Sequence, residues 1–76
     1  MNNKRRKEIS KIVSTLEDVR DRLSEVVDEE QCAFDNMPES IQYSERGYNM
    51  QEAIDNLDDA IGNIVDSIDN LYEAIE

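Results

Sequence analysis

The second half of the chain repeats a pattern every seven residues. Three copies begin at Ala53, Ala60 and Ser67, and a fourth begins at Ala74. The large apolar residues are spaced by alternating steps of four and three: Met50, Ile54, Leu57, Ile61, Ile64, Ile68, Leu71 and Ile75. This spacing is typical of a helix that packs lengthwise against another helix, so the repeat predicts an architecture rather than a reaction.

The first half carries a similar stripe and contains no glycine or proline before Pro38. The stripe consists of Ile9, Ile12, Leu16, Val19, Leu23 and Val26, and Val13 and Val27 widen it to one side. We therefore predict a first helix over about residues 4–35. A turn at residues 36–38 follows, because the residue before a proline avoids helical geometry and proline suits the first turn of a helix.

A second helix is expected over about residues 39–75, and two long helices joined by a short turn must lie antiparallel. Gly47 is its weakest position, since a glycine costs a helix about 1 kcal/mol relative to alanine. We favour one continuous helix in which Gly47 allows a partner backbone to approach closely. In the alternative, the helix breaks at Ser44–Gly47 and restarts at the capping box Asn49–Glu52.

A chain of 76 residues is expected to form a single domain, residues 1–76, with a marginal core. Cys32 is the only cysteine and histidine is absent, so an internal disulfide is excluded and a zinc site is implausible. Oligomerisation is the remaining source of stability, and the apolar stripes are wider than a two-helix contact requires.

These arguments predict an all-α, coiled-coil-like antiparallel two-helix hairpin that dimerises into a four-helix bundle. A monomeric hairpin docked on a host protein is the alternative. The oligomer seam is assigned to the large apolar residues of the repeat: Ile54, Leu57, Ile61, Ile64, Ile68 and Leu71.

No apolar run approaches the roughly eighteen residues of a membrane span, and no apolar segment follows the charged N-terminus. The lone cysteine fits a reducing compartment, so we expect a protein of the host-cell cytoplasm without membrane association. Catalytic signatures are missing, because no histidine accompanies a nucleophile and Gly47 and Gly62 stand apart from any phosphate loop. We expect a protein that is not an enzyme and that binds no metal or cofactor.

The net charge of -11 is unevenly distributed along the chain. A basic arm, Lys4–Lys7, lies near the start, whereas eight acidic residues and no basic one follow Gly47. In an antiparallel hairpin the basic arm lies beside the acidic end of the second helix. We therefore favour ion pairs between them, with Asp66, Asp69, Glu73 and Glu76 as partners, over contacts of the arm with phosphates.

Carboxylates on the second helix form the first candidate contact surface for a partner. The residues are Glu52, Asp55, Asp59, Asp66, Asp69 and Glu73. A rigid rod that carries rows of carboxylates resembles the charge layout of duplex DNA. The alternative is a solvated face that keeps a helical bundle in solution.

Two smaller features are further candidates. A ladder of asparagines, Asn49, Asn56, Asn63 and Asn70, either hydrogen-bonds across an interface or is a tolerant polar row. Near the turn, Tyr43, Arg46 and Tyr48 form a patch of residue types that are enriched in interfaces. The alternative is that Tyr43 covers the end of the hairpin core together with Phe34 and Met37.

The central segment resembles a family of small acidic proteins encoded by phages and prophages of Gram-positive bacteria. The resemblance lies in DEEQCAFDNMPESIQ at Asp28–Gln42, continues through SERG at Ser44–Gly47 and reaches AIDNL at Ala53–Leu57. That family is a helical-hairpin group without an established activity or functional residues. The resemblance therefore implies a mobile-element origin and transfers no site, although small acidic phage proteins often inhibit host nucleic-acid machinery, including CRISPR and restriction systems.

These features predict a non-catalytic protein-binding module of phage origin. Its most concrete form is an acidic inhibitor of a host nucleic-acid-binding or defence protein, of CRISPR or restriction type, that acts by nucleic-acid mimicry. The expected partners are that host protein and a second copy of the chain, with no direct contact to nucleic acid. The alternative is a structural or adaptor bundle that assembles through its isoleucine and leucine seam.

Overall fold

The structure is a computed structural model that describes all residues from Met1 to Glu76. It contains three helices, α1 (Asn3–Asp35), α2 (Glu39–Gln42) and α3 (Glu45–Ala74). α1 and α3 pack against each other as an elongated antiparallel hairpin with extents of 58 × 15 × 12 Å. The predicted all-α hairpin is confirmed.

α1 is a single helix of 33 residues. It begins at the N-cap Asn2, whose Oδ1 accepts a hydrogen bond from the Arg5 amide at 2.9 Å. At the other end the Asn36 amide donates to the Cys32 carbonyl at 3.1 Å. Since no glycine or proline interrupts it, α1 extends to within three residues of Pro38.

The prediction of one continuous second helix is wrong. α2 is a single turn, Tyr43 and Ser44 interrupt the helix, and α3 starts at Glu45. Ser44 is the N-cap of α3, and its hydroxyl accepts a hydrogen bond from the Gly47 amide at 3.4 Å. The break therefore occurs where the alternative placed it, but the helix restarts at Ser44 rather than at Asn49, because a serine cap satisfies a free amide of the new helix.

Gly47 is buried against the turn that precedes α3. A Cβ atom on it would lie 2.6 Å from the Ile41 carbonyl oxygen and closer still to that of Gln42. The close backbone approach expected at Gly47 is thus present, but the approaching backbone is the end of α2. This contact folds α2 back onto the start of α3.

The core is a thin line of side chains between α1 and α3. Val13, Ile54 and Ile68 are its buried apolar residues, at 2–4% exposure. Because residues seven apart share one side of a packed helix, Val27 and Phe34 belong to the same row as Val13, and both are half-buried.

This core shows that the side of α1 that contacts α3 is rotated from the predicted side. The predicted stripe consisted of the row of Ile12 and the row of Leu16, yet Ile12 and Val26 remain 44% and 47% exposed. The contact is centred instead on Val13 and Val27, the residues expected only to widen the stripe. Arg20 shares that row, half-buried, and pairs with Asp21 at the surface at 3.1 Å.

None of the helices combines the length and the apolar content needed to cross a membrane.

Candidate interaction surfaces

One side of the hairpin is polar apart from two exposed residues of α3, Val65 and Tyr72. The Tyr72 hydroxyl donates to Glu17 Oε1 at 3.3 Å, which shows that these two residues of α3 and α1 lie on the same side of the core. By the heptad spacing, Ser24 and Gln31 of α1 share the row of Glu17. In an antiparallel pair the opposite flanks of both helices must then lie together on the other side.

That other side is an apolar face. Half-buried leucines and isoleucines flank the core there, and the next row of α1 is exposed in part. We define the apolar face by Ile12, Leu16, Val19, Leu23 and Val26 of α1 and Leu57, Ala60, Ile64 and Leu71 of α3.

Two shallow grooves mark this side. One is lined by Val19, Leu23 and Val26 together with Arg22 and Glu25. The other is lined by residues of both helices: Glu30 of α1, and Glu45, Arg46, Asn49, Met50 and Ala53 of α3. The second groove shows that the two helices border the same side near the turn, where Met50 and Ala53 are its apolar residues.

The predicted oligomer seam divides into two rows. Ile54 and Ile68 are buried in the interior of the hairpin, and Ile61 belongs to the same row but is half-buried. The other row lies on the apolar face and keeps part of its surface exposed. It consists of Leu57, Ile64 and Leu71.

The contribution of α1 to the apolar face was missed by the sequence reasoning. Ile12, Val19 and Val26 belong to this face, whereas the sequence assigned the seam to α3 alone. Their regular spacing of seven residues was the signal that could have found them.

The six candidate carboxylates form an exposed surface along α3, which we call the acidic ridge. It consists of Glu52, Asp55, Asp59, Asp66, Asp69 and Glu73, all of them exposed. None of the six takes part in an ion pair, since the only ion pair of the hairpin joins Arg20 and Asp21. By the heptad spacing the ridge lies on rows of α3 that do not belong to the apolar face. The two surfaces can therefore be occupied at the same time.

The predicted ion pairs between the basic arm and the acidic end of α3 are wrong. Lys4, Arg5 and Lys7 are exposed and approach no carboxylate within ion-pair distance. An exposed ion pair contributes only about 0–1 kcal/mol, so sequence proximity across a hairpin does not enforce it. The Nε atom of Arg6 is buried without a hydrogen-bond partner, while the other cations of the arm face solvent.

The three residues of the predicted patch near the turn are all exposed, and their role as one contact patch stays a prediction. Tyr43 and Tyr48 are 68% and 61% exposed, and Arg46 lies between them in the chain, also exposed. The alternative role of Tyr43 as a cover for the core is excluded by this exposure. The Gln42 side chain closes that end instead, since its Nε2 donates to the Phe34 carbonyl at 3.0 Å.

The asparagine side chains of the ladder make no hydrogen bonds within the hairpin. Asn49, Asn56, Asn63 and Asn70 are all exposed. By the heptad spacing this row lies between the apolar face and the acidic ridge. It therefore borders the edge of any contact made by the apolar face.

No group of three or more histidine, cysteine or carboxylate side chains is placed to hold a metal ion. No family model, curated protein or solved structure matches the chain. The acidic ridge and the apolar face remain as functional candidates, together with the exposed residues near the turn, Tyr43, Arg46 and Tyr48.

Proposed function

We propose that the protein is a non-catalytic binding module whose acidic ridge occupies the nucleic-acid site of a host protein. The observation that supports this function is the ridge itself, six exposed carboxylates on one helix, none of which takes part in an ion pair. Charges that are not neutralised internally attract a basic partner and increase its rate of association.

The charge density of α3 is of the order found in nucleic acid. Eight acidic residues lie between Glu52 and Glu76, over about 36 Å at 1.5 Å per residue. One helix thus carries a charge every ~4.5 Å, compared with ~3.4 Å along one DNA strand and ~1.7 Å along the duplex axis. A groove that binds a nucleic-acid strand would find a similar spacing of negative charge on α3.

The resemblance to phage-encoded proteins directs this proposal to a particular class of partner. A phage protein gains from the inhibition of a host defence system, so the partner proposed is a CRISPR or restriction protein of the host cytoplasm. The acidic hairpin would compete with the nucleic acid for the basic channel of that protein, and it would itself not contact nucleic acid.

The test is capture from a nuclease-treated bacterial lysate on the immobilised protein, followed by release with a DNA duplex. We expect a basic nucleic-acid-binding protein that is retained at low salt and is displaced by DNA or high salt. The variant D59N/D66N/E73Q, which removes three charges of the acidic ridge and conserves side-chain shape, should abolish retention.

A matched variant controls for the change in net charge. D18N/E25Q/E29Q removes three exposed carboxylates from α1 and should retain the captured protein. Equal loss of capture by both variants would show that only net charge matters. Undiminished capture by the ridge variant would refute nucleic-acid mimicry.

A second function is favoured by the apolar face. The exposure of Ile12 and Val26 is unusual for a hairpin with only three buried apolar residues, and it suits a structural or adaptor module that assembles through this face. In that case the captured protein would withstand high salt and would be lost with Val26→Glu, while the ridge variant would bind normally.

A further inference from the structure

The hairpin exposes more surface than a compact chain of its mass. Its accessible surface is 5659 Å², whereas a folded monomer of 8.8 kDa is expected to expose about 4,800 Å². The excess of about 900 Å² is close to the ~800 Å² that each partner buries in a stable protein interface. Only four of 76 residues are buried. A large exposed surface and a small core are what is expected of one subunit of an assembly.

The charge along the rod is strongly polarised. The turn end, residues 28–53, carries seven acidic residues and one basic residue. The open end, residues 1–11 and 70–76, carries five basic and three acidic residues. The hairpin therefore has a net charge of -6 at one end and +2 at the other, because the basic arm is not neutralised within the chain.

We infer that the apolar face is covered by a second copy of the chain that lies antiparallel to the first, with the two turns at opposite ends. This arrangement places the basic arm of each copy beside the acidic turn end of the other. A dimer with both turns at the same end would bring two regions of -6 together, which like-charge repulsion opposes.

A twofold axis relates the two antiparallel copies, and its direction determines which helices meet. When the turns lie at opposite ends of a face-to-face pair, α1 packs on α1 and α3 packs on α3. The row that α3 contributes consists of small residues, Ala53, Ala60, Ser67 and Ala74. It is centred between Ala60 and Ser67, so Ala60 of one copy faces Ser67 of the other. Small residues allow the two α3 helices to approach at the short end of the usual range of about 8–10 Å.

The row of α1 is centred in the same part of the rod. Its apolar members Ile12, Val19 and Val26 are symmetric about Val19, so Ile12 of one copy faces Val26 of the other. The asparagine ladders of the two α3 helices then border the same edge of the interface, where their unpaired amides can hydrogen-bond across it.

This arrangement deepens the proposed function and rests on it in one respect. With α3 beside α3, both acidic ridges lie on one edge of the dimer, where they repel each other until a basic partner binds. Their combined density is about one charge per 2.6 Å, compared with ~1.7 Å for the DNA duplex. A dimer with both turns at the same end would instead place the ridges at diagonally opposite corners.

The decisive experiment is disulfide formation by the double variant Ala60→Cys/Ser67→Cys in a Cys32→Ser background under mild oxidation, with the mass in solution measured in parallel. We expect a dimer of twice 8.8 kDa in which the introduced cysteines of the two copies form a disulfide rapidly and nearly completely. The wild-type chain, with its exposed Cys32 far from the axis, is the control and should remain uncrosslinked.

The other outcomes overturn the inference separately from the proposed function. A monomer at high micromolar concentration refutes the second copy as occupant. A dimer in which the A60C/S67C variant forms no disulfide with itself, but crosslinks when it is mixed with V19C, refutes the orientation and supports turns at the same end. Neither result depends on a partner, whereas the ridge variant tests partner binding whatever the oligomeric state.

Discussion

At the scale of single residues, the two glycines of the chain differ in the space around them. Gly47 lies under the Ile41 and Gln42 carbonyls, whereas a Cβ atom on Gly62 would meet nothing within 4 Å. Gly47→Ala should lower the free energy of unfolding by roughly 1–3 kcal/mol, because the new methyl group forces the α2 backbone away. Gly62→Ala should raise it by up to about 1 kcal/mol through helix propensity alone. Urea denaturation of both variants measures the difference.

The pair contains its own control, since both substitutions add one methyl group to α3. Stabilisation by both would mean that α2 does not fold back against Gly47. A glycine within a heptad repeat is ambiguous in the sequence, because it fits both a close helix contact and a helix break. Only the position of Ile41 and Gln42 distinguishes the two, and that position is a tertiary contact.

At the scale of helices, the start of α3 is the part that depends on one side chain. Ser44 caps α3, whereas Asn49, which begins the capping-box pattern, is inside the helix and exposed. Ser44→Ala should therefore cost about 1 kcal/mol in the free energy of unfolding, and Asn49→Ala should change it little. Thermal unfolding followed by circular dichroism compares the two variants, and the reverse order of effects would place the start of the helix at Asn49.

The helices differ in how far the sequence determines them. α1 is predictable from end to end, because an unbroken run of helix formers leads to a proline and nothing within the run competes with the helix. The rotation of α1 about its axis is not predictable from the sequence, since Ile12 and Val13 are both apolar and either could face α3. The hairpin buries the row of Val13 and leaves the row of Ile12 exposed in part. The spacing of both rows is visible in the sequence, but which of them faces α3 is not.

The candidate site divides in the same way. The acidic ridge was predictable, because no basic residue follows Gly47 and charged residues on a helix remain exposed. The absence of ion pairs between α3 and the basic arm was not predictable, since proximity across a hairpin suggested that such pairs form. The arm is thereby left free to act between chains rather than within one.

At the scale of the whole molecule, the same few apolar side chains contribute to both the core and the apolar face. Because only three apolar residues of 76 are buried, we expect stability to depend on what covers the apolar face. If a second copy covers it, unfolding and dissociation are one event. The midpoint of thermal unfolding should then rise by roughly 3–6 °C for each tenfold increase in protein concentration.

The same argument predicts how one charge on the apolar face acts. Val26→Glu places a carboxylate where a second copy packs, so it should lower the unfolding midpoint and remove its dependence on concentration. Ser14→Glu adds the same charge to an exposed position of α1 off the apolar face and should retain that dependence. Calorimetry over a hundredfold range of concentration measures both. A wild-type midpoint that does not move over this range would mean that the hairpin is stable alone, and the half-exposed leucines and isoleucines would then be available to a different protein.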